Sequence, residues 1–139
     1  MKQKFVRLGI NRADELAHLN KQLIEDEGHS NPMSIEELQK RMSEWLSSNY
    51  MGVALEQDGN ILSYALWRDD GEYYYLRHLF TQRSHRRKGY ARILLEHIES
   101  ELLGHKPIRV EVLSGNADAL SFYKSLGYTT YANTMQKTI

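Results

Sequence analysis

The residues from position 83 to position 88 form a basic run that suits the binding of an anion. Four of its six residues are cationic, and Gly89 follows them directly. The run lies between a predicted strand and a predicted helix, and the first amides of a helix have no acceptor within that helix. Free amides, the positive end of the helix dipole and clustered cations together favour a phosphate group. Gly89 and the small Ala91 leave the backbone open to a group of that size.

Two other interpretations of the basic run are open. Many such runs are solvated loops, although the position at a strand-to-helix junction favours the phosphate site. The run could also contact nucleic acid. The chain has 18 basic and 18 acidic residues, so its formal charge is zero, and no second basic stripe is present to follow a nucleic-acid backbone. We therefore expect no nucleic-acid partner.

An acidic run, Glu25 to Glu27, ends the predicted first helix. Cations are favoured at this end of a helix dipole, so three carboxylates there need another explanation. Asp26 and Glu27 could attract a cationic amine, or they could belong to an ordinary solvated helix end. We take the first interpretation as the prediction of a substrate site.

Composition limits the classes of protein that can use these residues. The chain has 139 residues, which predicts one domain spanning residues 1–139. It has no cysteine, which excludes disulfides, thiol nucleophiles and cysteine metal sites, and we expect no metal. No apolar run approaches the roughly 20 residues that cross a bilayer, and residues 1–10 lack the apolar core of a signal peptide. These features predict a soluble, cytoplasmic protein with no membrane partner.

The first 50 residues are predicted to form a strand and two helices. The strand covers residues 4–10, and Asn11 is the expected cap of a helix that runs to about residue 27. Residues 28–32 break this helix. Ser34 and Glu37 then form a capping box, which predicts a second helix that ends near residue 48.

The rest of the chain is predicted to contain a three-stranded meander and then a strand between two helices, followed by a last strand. Glycines at hairpin turns separate the three meander strands, at 50–56, 61–68 and 72–81. The later elements are a helix at 89–103 that Gly104 stops, a strand at 108–113, a helix at 116–126 that Gly127 ends, and a strand at 128–136. A meander followed by a βαβ crossover predicts a mixed α/β sheet with helices on both faces.

Two blocks of the sequence match the motifs of a known family. The first is Arg86-Arg87-Lys88-Gly89-Tyr90-Ala91, and the second comprises residues 112–117, Ala119, Phe122-Tyr123 and residues 126–128. The first block fits the signature Q/R-x-x-G-x-G/A, and both blocks resemble the GNAT superfamily of acyl-CoA-dependent N-acetyltransferases. The order of the predicted elements is also similar to that family's. The resemblance covers nearly the whole chain, although residues 11–50 carry no diagnostic motif.

This resemblance implies that acetyl-CoA is a co-substrate and that particular residues bind it. Backbone amides would hold the pyrophosphate at Arg86, Arg87, Lys88, Gly89, Tyr90 and Ala91. The end of the preceding strand would hydrogen-bond the pantetheine arm at Leu79, Phe80 and Thr81. Asn116 could bind that arm, cap its own helix, or do both. Thr81 and Ala91 replace residues that are commoner in the family, but neither change removes a backbone amide.

Acetyl transfer to an amine gains from a proton donor to the leaving thiolate, and Tyr123 is the candidate. It lies in the predicted fourth helix after Asn116, and it resembles the tyrosine that many relatives place beside the coenzyme sulfur. A phenol pKa of ~10 suits the protonation of a thiolate with a pKa of ~8.5. Tyr123 also continues an apolar stripe with Ala119, Phe122 and Leu126, so it could instead be a core residue.

Glu111 is the predicted catalytic base for the amine proton. A carboxylate is unexpected in the apolar strand 108–113, although an ion pair with Arg77 or Arg109 would also explain it. His78 in the neighbouring strand titrates in a suitable range, but a lone histidine in a strand is often structural. A base acting through ordered water needs none of these residues.

The acceptor is predicted to be a primary amine, in a small molecule or in a protein. Asp26, Glu27 and Arg77 are assigned to its binding. The last strand, 128–136, is predicted to offer an edge at which a homodimer could pair. A non-catalytic acyl-CoA-binding module is the alternative function, since it would keep the basic turn but would not need Tyr123. A nucleic-acid-binding domain that uses residues 83–88 is a further alternative.

Overall fold

A mixed sheet carries the fold. In the computed structural model, which describes residues 2–28, 31–102 and 106–139, five strands form one sheet in chain order. They are β1 (Gln3–Arg7), β2 (Tyr50–Gln57), β3 (Asn60–Asp69), β4 (Tyr74–Thr81) and β5 (Ile108–Val110). β1 to β4 pair antiparallel, and β5 pairs parallel to β4, as a crossover connection requires. The predicted meander and crossover are confirmed.

Helices cover both faces of this sheet, as predicted. They are α1 (Ala13–Asp26), α2 (Ile35–Leu46), α3 (Tyr90–Glu101) and α4 (Ala117–Ser125). α1 and α2 pack on one face, where Leu16 and Tyr64 share a core. α3 and α4 pack on the other face, around Trp67 and Leu94. Leu16 and Leu94 are completely buried, and burial of such a side chain contributes about 2–3 kcal/mol to the free energy of unfolding.

Local sequence signals begin and end several elements as predicted. The Ser34 Oγ accepts from the Glu37 amide at 3.2 Å, and the Ser34 amide donates to Glu37 Oε1 at 3.0 Å, which completes the capping box of α2. Asp58 and Gly59 have φ angles of 54° and 80°. Two successive positive φ angles are the geometry of a two-residue hairpin, and this turn joins β2 to β3.

A bulge in β4 shapes the centre of the molecule. In β3, Leu66 pairs with His78 and the next residue, Trp67, pairs with Leu76. Arg77 therefore has no partner in β3. Arg77 and His78 consequently face the same side of the sheet. The Arg77 guanidinium carbon lies 4.5 Å from the centroid of the Trp45 ring, and the His78 ring centroid lies 5.7 Å from it.

The pairing of β4 with β5 is short. Residues 74–76 pair with residues 108–110, and β4 then continues to Thr81 while β5 ends at Val110. The strand predicted to reach residue 113 is therefore too long. Because the ladder stops at Val110, Glu111 lies outside the strand and is exposed, which corrects the prediction of a carboxylate within a strand.

The predicted last strand, at 128–136, is wrong. No strand forms there in the described part of the chain, and Tyr131 and Met135 are largely exposed. A three-residue β5 offers few ladder bonds to a further strand. Residues of β5 and of this segment instead line a cavity of about 410 Å³, and the guanidinium carbon of Arg109 lies 4.1 Å from the centroid of the Tyr131 ring. The edge on which the homodimer prediction depended is therefore not formed by these residues.

Two smaller differences concern the ends of helices. Asn11 does not cap α1, because residues Ile10–Arg12 form a 3-10 turn and the helix begins at Ala13. The predicted break at 28–32 lies partly outside the described residues, and the predicted helix end at residues 103–104 lies wholly outside them. Among the helices that the described residues form, none has the length and apolar character to span a membrane.

Candidate active site

The turn between β4 and α3 has an unusual backbone. Arg87 has a φ of 66° and Gly89 a φ of 79°, whereas Arg86 has a φ of −73°. Arg86 is extended, with a ψ of 159°, so the left-handed residues are Arg87 and Gly89. Successive amides of a turn that contains such residues can point into one concavity, and a concavity of this kind binds anions. The first turn of α3 has no side-chain cap, so its amides are not satisfied by a cap side chain. A Cβ atom at Gly89 would meet nothing within 4 Å, which leaves the approach to these amides open.

Two arginines of the basic turn are held by α1. Arg83 Nη2 donates to Asp26 Oδ1 at 2.8 Å, and Arg86 forms an ion pair with the same carboxylate. Burial alone would raise the pKa of Asp26, but hydrogen bonds and charge from Arg86 and Arg83 outweigh it and lower this pKa. Arg86 Nε also donates to the Thr81 carbonyl oxygen at 3.0 Å. Asp26 therefore lies at the basic turn, where the structure joins it to the predicted phosphate site.

The remaining cations of the turn are exposed. Arg87 and Lys88 form no ion pair among residues 2–28, 31–102 and 106–139, and both side chains reach solvent. Tyr90 is half-buried at the start of α3, and its hydroxyl accepts from Gln3 Nε2 at 3.4 Å. Asp26 thus holds Arg83 and Arg86 in place, whereas Arg87 and Lys88 stay exposed and a phosphate can approach them.

The end of β4 places the three residues predicted to bind the pantetheine arm. Leu79 packs toward α3 and α4, whereas Phe80 is buried on the α1 and α2 face. The Thr81 hydroxyl lies 3.1 Å from the Ser63 hydroxyl. All three residues follow Leu76, where the pairing with β5 stops, so this length of β4 borders the opening between the two strands.

α4 presents Tyr123 toward the interior. Asn116 Oδ1 accepts from the Ala119 amide at 3.1 Å, which confirms that Asn116 caps this helix. The Tyr123 ring lies 5.2 Å from Phe122 and 5.4 Å from Tyr128, centroid to centroid. Burial and the Glu27 carboxylate both raise the pKa of Tyr123, so its hydroxyl stays protonated at neutral pH.

Glu27, the last residue of the acidic run, affects the pKa of two tyrosines. Its charge raises the pKa of Tyr123 and also of Tyr64, in each case after the larger effect of burial. The two carboxylates assigned to the acceptor therefore differ in what they act on. Asp26 forms ion pairs with the basic turn, whereas the charge of Glu27 acts on Tyr64 and Tyr123. The sequence offers no signal for this division, because the two residues are adjacent.

Glu111 lies beside the Tyr75 hydroxyl. Burial raises the pKa of Tyr75, and the charge and hydrogen bond of Glu111 raise it further. In the part of the chain that the structure describes, Glu111 forms no ion pair with Arg77 or Arg109. Arg109 instead stacks on Tyr73, with its guanidinium carbon 3.9 Å from the ring centroid.

Three side chains around the bulge, those of Arg41, Trp45 and Tyr64, were not identified from the sequence. Arg41, one helical turn before Trp45 in α2, places its guanidinium carbon 4.3 Å from the indole centroid. The Tyr64 hydroxyl and His78 Nδ1 lie 3.0 Å apart. Burial lowers the pKa of His78 to about 3, with smaller effects from the charges of Arg77 and Arg41, so this imidazole is neutral. The spacing of Arg41 and Trp45 was the available signal.

Within the described residues, no group of three or more histidine, aspartate or glutamate side chains is arranged to hold a metal ion. The polar groups of the site are the amides of the turn, its cations, two phenols and separate carboxylates. These are groups that bind anions and move protons.

Comparison with known proteins agrees with this geometry. The family model described as "Acetyltransferase (GNAT) domain" matches residues 15–138. A ribosomal protein bS18-alanine N-acetyltransferase of Escherichia coli is 29% identical over 107 residues, which cover 76% of this chain and 70% of that protein.

Solved structures share the fold. A possible acetyltransferase from Clostridium difficile 630 has a TM-score of 0.84 at 15% identity and covers 100% of this chain and 98% of its own. The aminoglycoside N-acetyltransferase AAC(6')-Iy, in complex with CoA, has a TM-score of 0.79 at 14% identity, with 99% and 95% covered. The fold and the family match together define an acyltransferase. The chain belongs to the GNAT family of N-acetyltransferases.

Proposed function

We propose that this chain transfers an acetyl group from acetyl-CoA to a primary amine, by direct attack of the amine. The turn that opens α3 is the observation that carries the proposal. Its left-handed backbone at Arg87 and Gly89, the open space at Gly89 and the exposed cations fit a pyrophosphate. The amides of residues 86–91 would hold this group, with the side chains of Arg87 and Lys88 beside it.

Other residues of the chain would position the rest of the coenzyme. Leu79, Phe80 and Thr81 border the opening between β4 and β5, and Asn116 lies at the start of α4. The Thr81 carbonyl oxygen already accepts from Arg86, so the pantetheine arm would share or replace that contact. Bound acetyl-CoA supplies the reactive thioester and the thiolate leaving group.

Tyr123 is the proposed general acid. Its raised pKa ensures that the hydroxyl holds a proton at neutral pH, although it also makes the phenol a weaker acid. Glu27 contributes to that rise. An ammonium group of the acceptor near Glu27 would offset the carboxylate's charge and so favour proton release from Tyr123. We therefore keep Glu27 as a residue of the acceptor side, and Asp26 stays a prediction there.

Glu111 remains the proposed base. Its exposed carboxylate lies next to Tyr75 and close to the end of β5, beside the opening in the sheet. A lysine-like amine has a pKa of ~10.4 and is mostly protonated at neutral pH, so a base must remove a proton before or during attack. Arg77, on the neighbouring strand, is kept as a substrate-binding residue.

The acceptor class is a primary amine of a small molecule or of a protein. The named relatives support both: one acts on the alanine of ribosomal protein bS18, and another is an aminoglycoside N-acetyltransferase. We further propose that the protein works in the cytoplasm without metal, nucleic acid or membrane as a partner. A homodimer is also a proposal, now without the edge strand that first suggested it.

The test is acetyl-CoA turnover across a panel of amines, with release of free thiol and formation of the acetylated amine both measured. Transfer to at least one primary amine is the expected result. An acyl-CoA-binding module would bind acetyl-CoA saturably but would acetylate no amine in the panel. Binding of oligonucleotides in preference to acetyl-CoA would contradict both.

A further inference from the structure

Arg41 of α2 and Arg77 of β4 lie against the same indole ring. The guanidinium carbons are 4.3 Å and 4.5 Å from the centroid of Trp45. Stacking on an aromatic face orients a guanidinium while its N–H groups stay available at its edge. The two arginines belong to different elements, and they meet because the β4 bulge turns Arg77 toward α2.

Neither arginine has a carboxylate partner among the described residues. Other arginines pair with carboxylates, as Arg12 does with Glu56 and Arg68 does with Asp70. Arg41 and Arg77 form no ion pair in the part of the chain that the structure describes. The charged side chain that acts on Arg41 is Arg77, which has the same sign.

The hydrogen-bond partners of the two arginines are neutral. Arg41 Nη2 donates to Asn20 Oδ1 at 3.2 Å, and Arg77 Nη1 donates to the Tyr50 hydroxyl at 3.4 Å. Arg41 Nε and Asn20 Nδ2 are buried and have no acceptor among the described residues. Because arginine only donates, Asn20 must present its oxygen to Arg41 and its amide nitrogen elsewhere. Donors are thus in excess around Trp45.

The charge of Arg77 affects the pKa of Arg41. Burial lowers the pKa of Arg41, and the positive charge of Arg77 lowers it further. Two like charges held together without a counter-ion cost free energy, and an anion that binds between them recovers it. A carboxylate suits this geometry because two arginine forks can each donate to its oxygens.

The position of this pair relates it to the acceptor. Arg77 follows Leu76, the residue at which pairing with β5 ends, and it precedes the residues proposed to bind the pantetheine arm. The charge of Glu111 raises the pKa of Tyr75 and the charge of Arg77 lowers it, so both charged groups lie within electrostatic range of this phenol. The phosphate turn begins beyond Thr81, roughly 13 Å further along the strand at 3.3 Å per residue. The pair is therefore separate from the phosphate site.

We propose that Arg41 and Arg77 bind a carboxylate of the acceptor, so that the acceptor is an amine that also carries an acidic group, as an amino acid does. Trp45 supplies the surface on which both guanidinium groups are held. The identity of the amine end rests on the proposed function, whereas the binding of a carboxylate does not depend on catalysis.

A binding experiment without turnover tests the anion site. The probes are N-acetylglycine, N-acetylalanine and N-acetylglutamate, each compared with its neutral amide, and binding is followed by tryptophan fluorescence and by NMR titration. We expect at least one acid to bind at least tenfold more tightly than its amide, because a hydrogen bond from arginine to a charged carboxylate is stronger than one to a neutral amide. The proposal is overturned if every acid binds as tightly as its amide, or if no acid binds at a probe concentration of about 10 mM.

Two variants locate the effect. Arg77→Gln changes an exposed side chain, and it should reduce the preference for the acid to less than threefold; Arg41→Gln should do the same. Arg92→Gln is the control, because Arg92 is exposed on α3 and paired with Glu96. If Arg41→Gln does not fold, the preference of Arg77→Gln for the acid over the amide still tests the proposal. A preference that survives in Arg77→Gln overturns the proposal.

The same proteins are then assayed for acetyl transfer to glycine, alanine and glutamate and to their amides. Arg77→Gln should raise the KM of the acids while the KM of the amides and the Kd of acetyl-CoA stay unchanged. Binding of acids without any transfer would contradict the proposed function but support the anion site. Transfer to acids and amides with equal kcat/KM would support the function and overturn the anion site.

Discussion

Arg83 Nη2 lies 2.8 Å from Asp26 Oδ1, although 57 positions separate the two residues in the sequence. With Arg86 on the same carboxylate, this contact fastens the end of α1 to the turn that opens α3. One aspartate thus shares its cations with the site proposed for the coenzyme phosphates. Negative charge from Asp26 and from a phosphate would compete for the same arginines.

Removal of this carboxylate should strengthen acetyl-CoA binding. Asp26→Asn frees Arg83 and Arg86 and removes a like charge near the phosphates, which predicts an affinity about 3- to 10-fold higher at low salt. Calorimetry at two salt concentrations measures the effect, and the gain should shrink at high salt because the charges are screened. Asp14→Asn, an exposed residue in the first turn of α1, is the control. A raised acceptor KM with unchanged acetyl-CoA affinity would instead support the acceptor role predicted from the sequence.

Gly89→Val should weaken acetyl-CoA binding at least tenfold. The branched side chain would fill the open space beside the amides of α3, and the φ of 79° would strain it. Gly71→Val is the matched control, because Gly71 also has a positive φ and open space but lies in a hairpin turn. Both variants should lose stability. If a folded Gly89→Val protein binds acetyl-CoA as the wild type does, the phosphate site lies elsewhere.

Tyr123→Phe keeps the ring but deletes the proton donor. Proton transfer by a positioned side chain is commonly worth ~10²–10⁴ in rate, so kcat should fall at least ~100-fold while acetyl-CoA affinity stays nearly constant. Tyr128→Phe is the control, since its hydroxyl bonds Glu99 at 2.8 Å and has no assigned role in the reaction. Steady-state kinetics and thermal melting are measured together. A folded Tyr123→Phe enzyme with at least half of the wild-type kcat would leave Tyr123 as a core residue.

Glu111→Gln tests the proposed base. Loss of a general base should lower kcat/KM for the amine by about 100-fold at neutral pH, where the carboxylate is ionised and a lysine-like amine is mostly protonated. Glu101→Gln, at the end of α3, serves as the control. Turnover of Glu111→Gln within twofold of the wild type would show that ordered water or another group removes the proton.

His78 should make the protein less stable in acid. Its pKa is about 3 in the folded protein against 6.5 for an ordinary histidine, so between these values the unfolded chain binds a proton that the folded chain does not. This contribution to the free energy of unfolding is full above about pH 6.5 and is lost as the pH falls toward 3. Urea unfolding of His78→Gln should show a smaller fall over this window, because glutamine does not titrate and can still hydrogen-bond Tyr64. His18→Gln, exposed on α1, should follow the wild type.

The sequence alone determined the element order as far as α4. Amphipathic helices, the capping box at Ser34 and the Asp58-Gly59 turn are local signals, and each acts within a few residues. The basic turn could also be found this way, because a glycine, a cluster of cations and a helix start are adjacent in the chain. Such features can be predicted because they depend on backbone preferences that residues adjacent in the sequence set.

Only the tertiary structure shows which distant residues come together in the site and which do not. The bulge at Arg77 depends on how β4 registers against β3, and without it Arg77 and His78 would face opposite sides of the sheet. Asp26 and Glu27 are neighbours in the sequence, yet Asp26 forms ion pairs with the basic turn while the charge of Glu27 raises the pKa of Tyr123. The last strand failed to form although its local pattern suggested one, because a strand also needs a partner edge and β5 is short. Pairing, register and ion pairs across the fold depend on packing of the whole chain, which no local pattern contains.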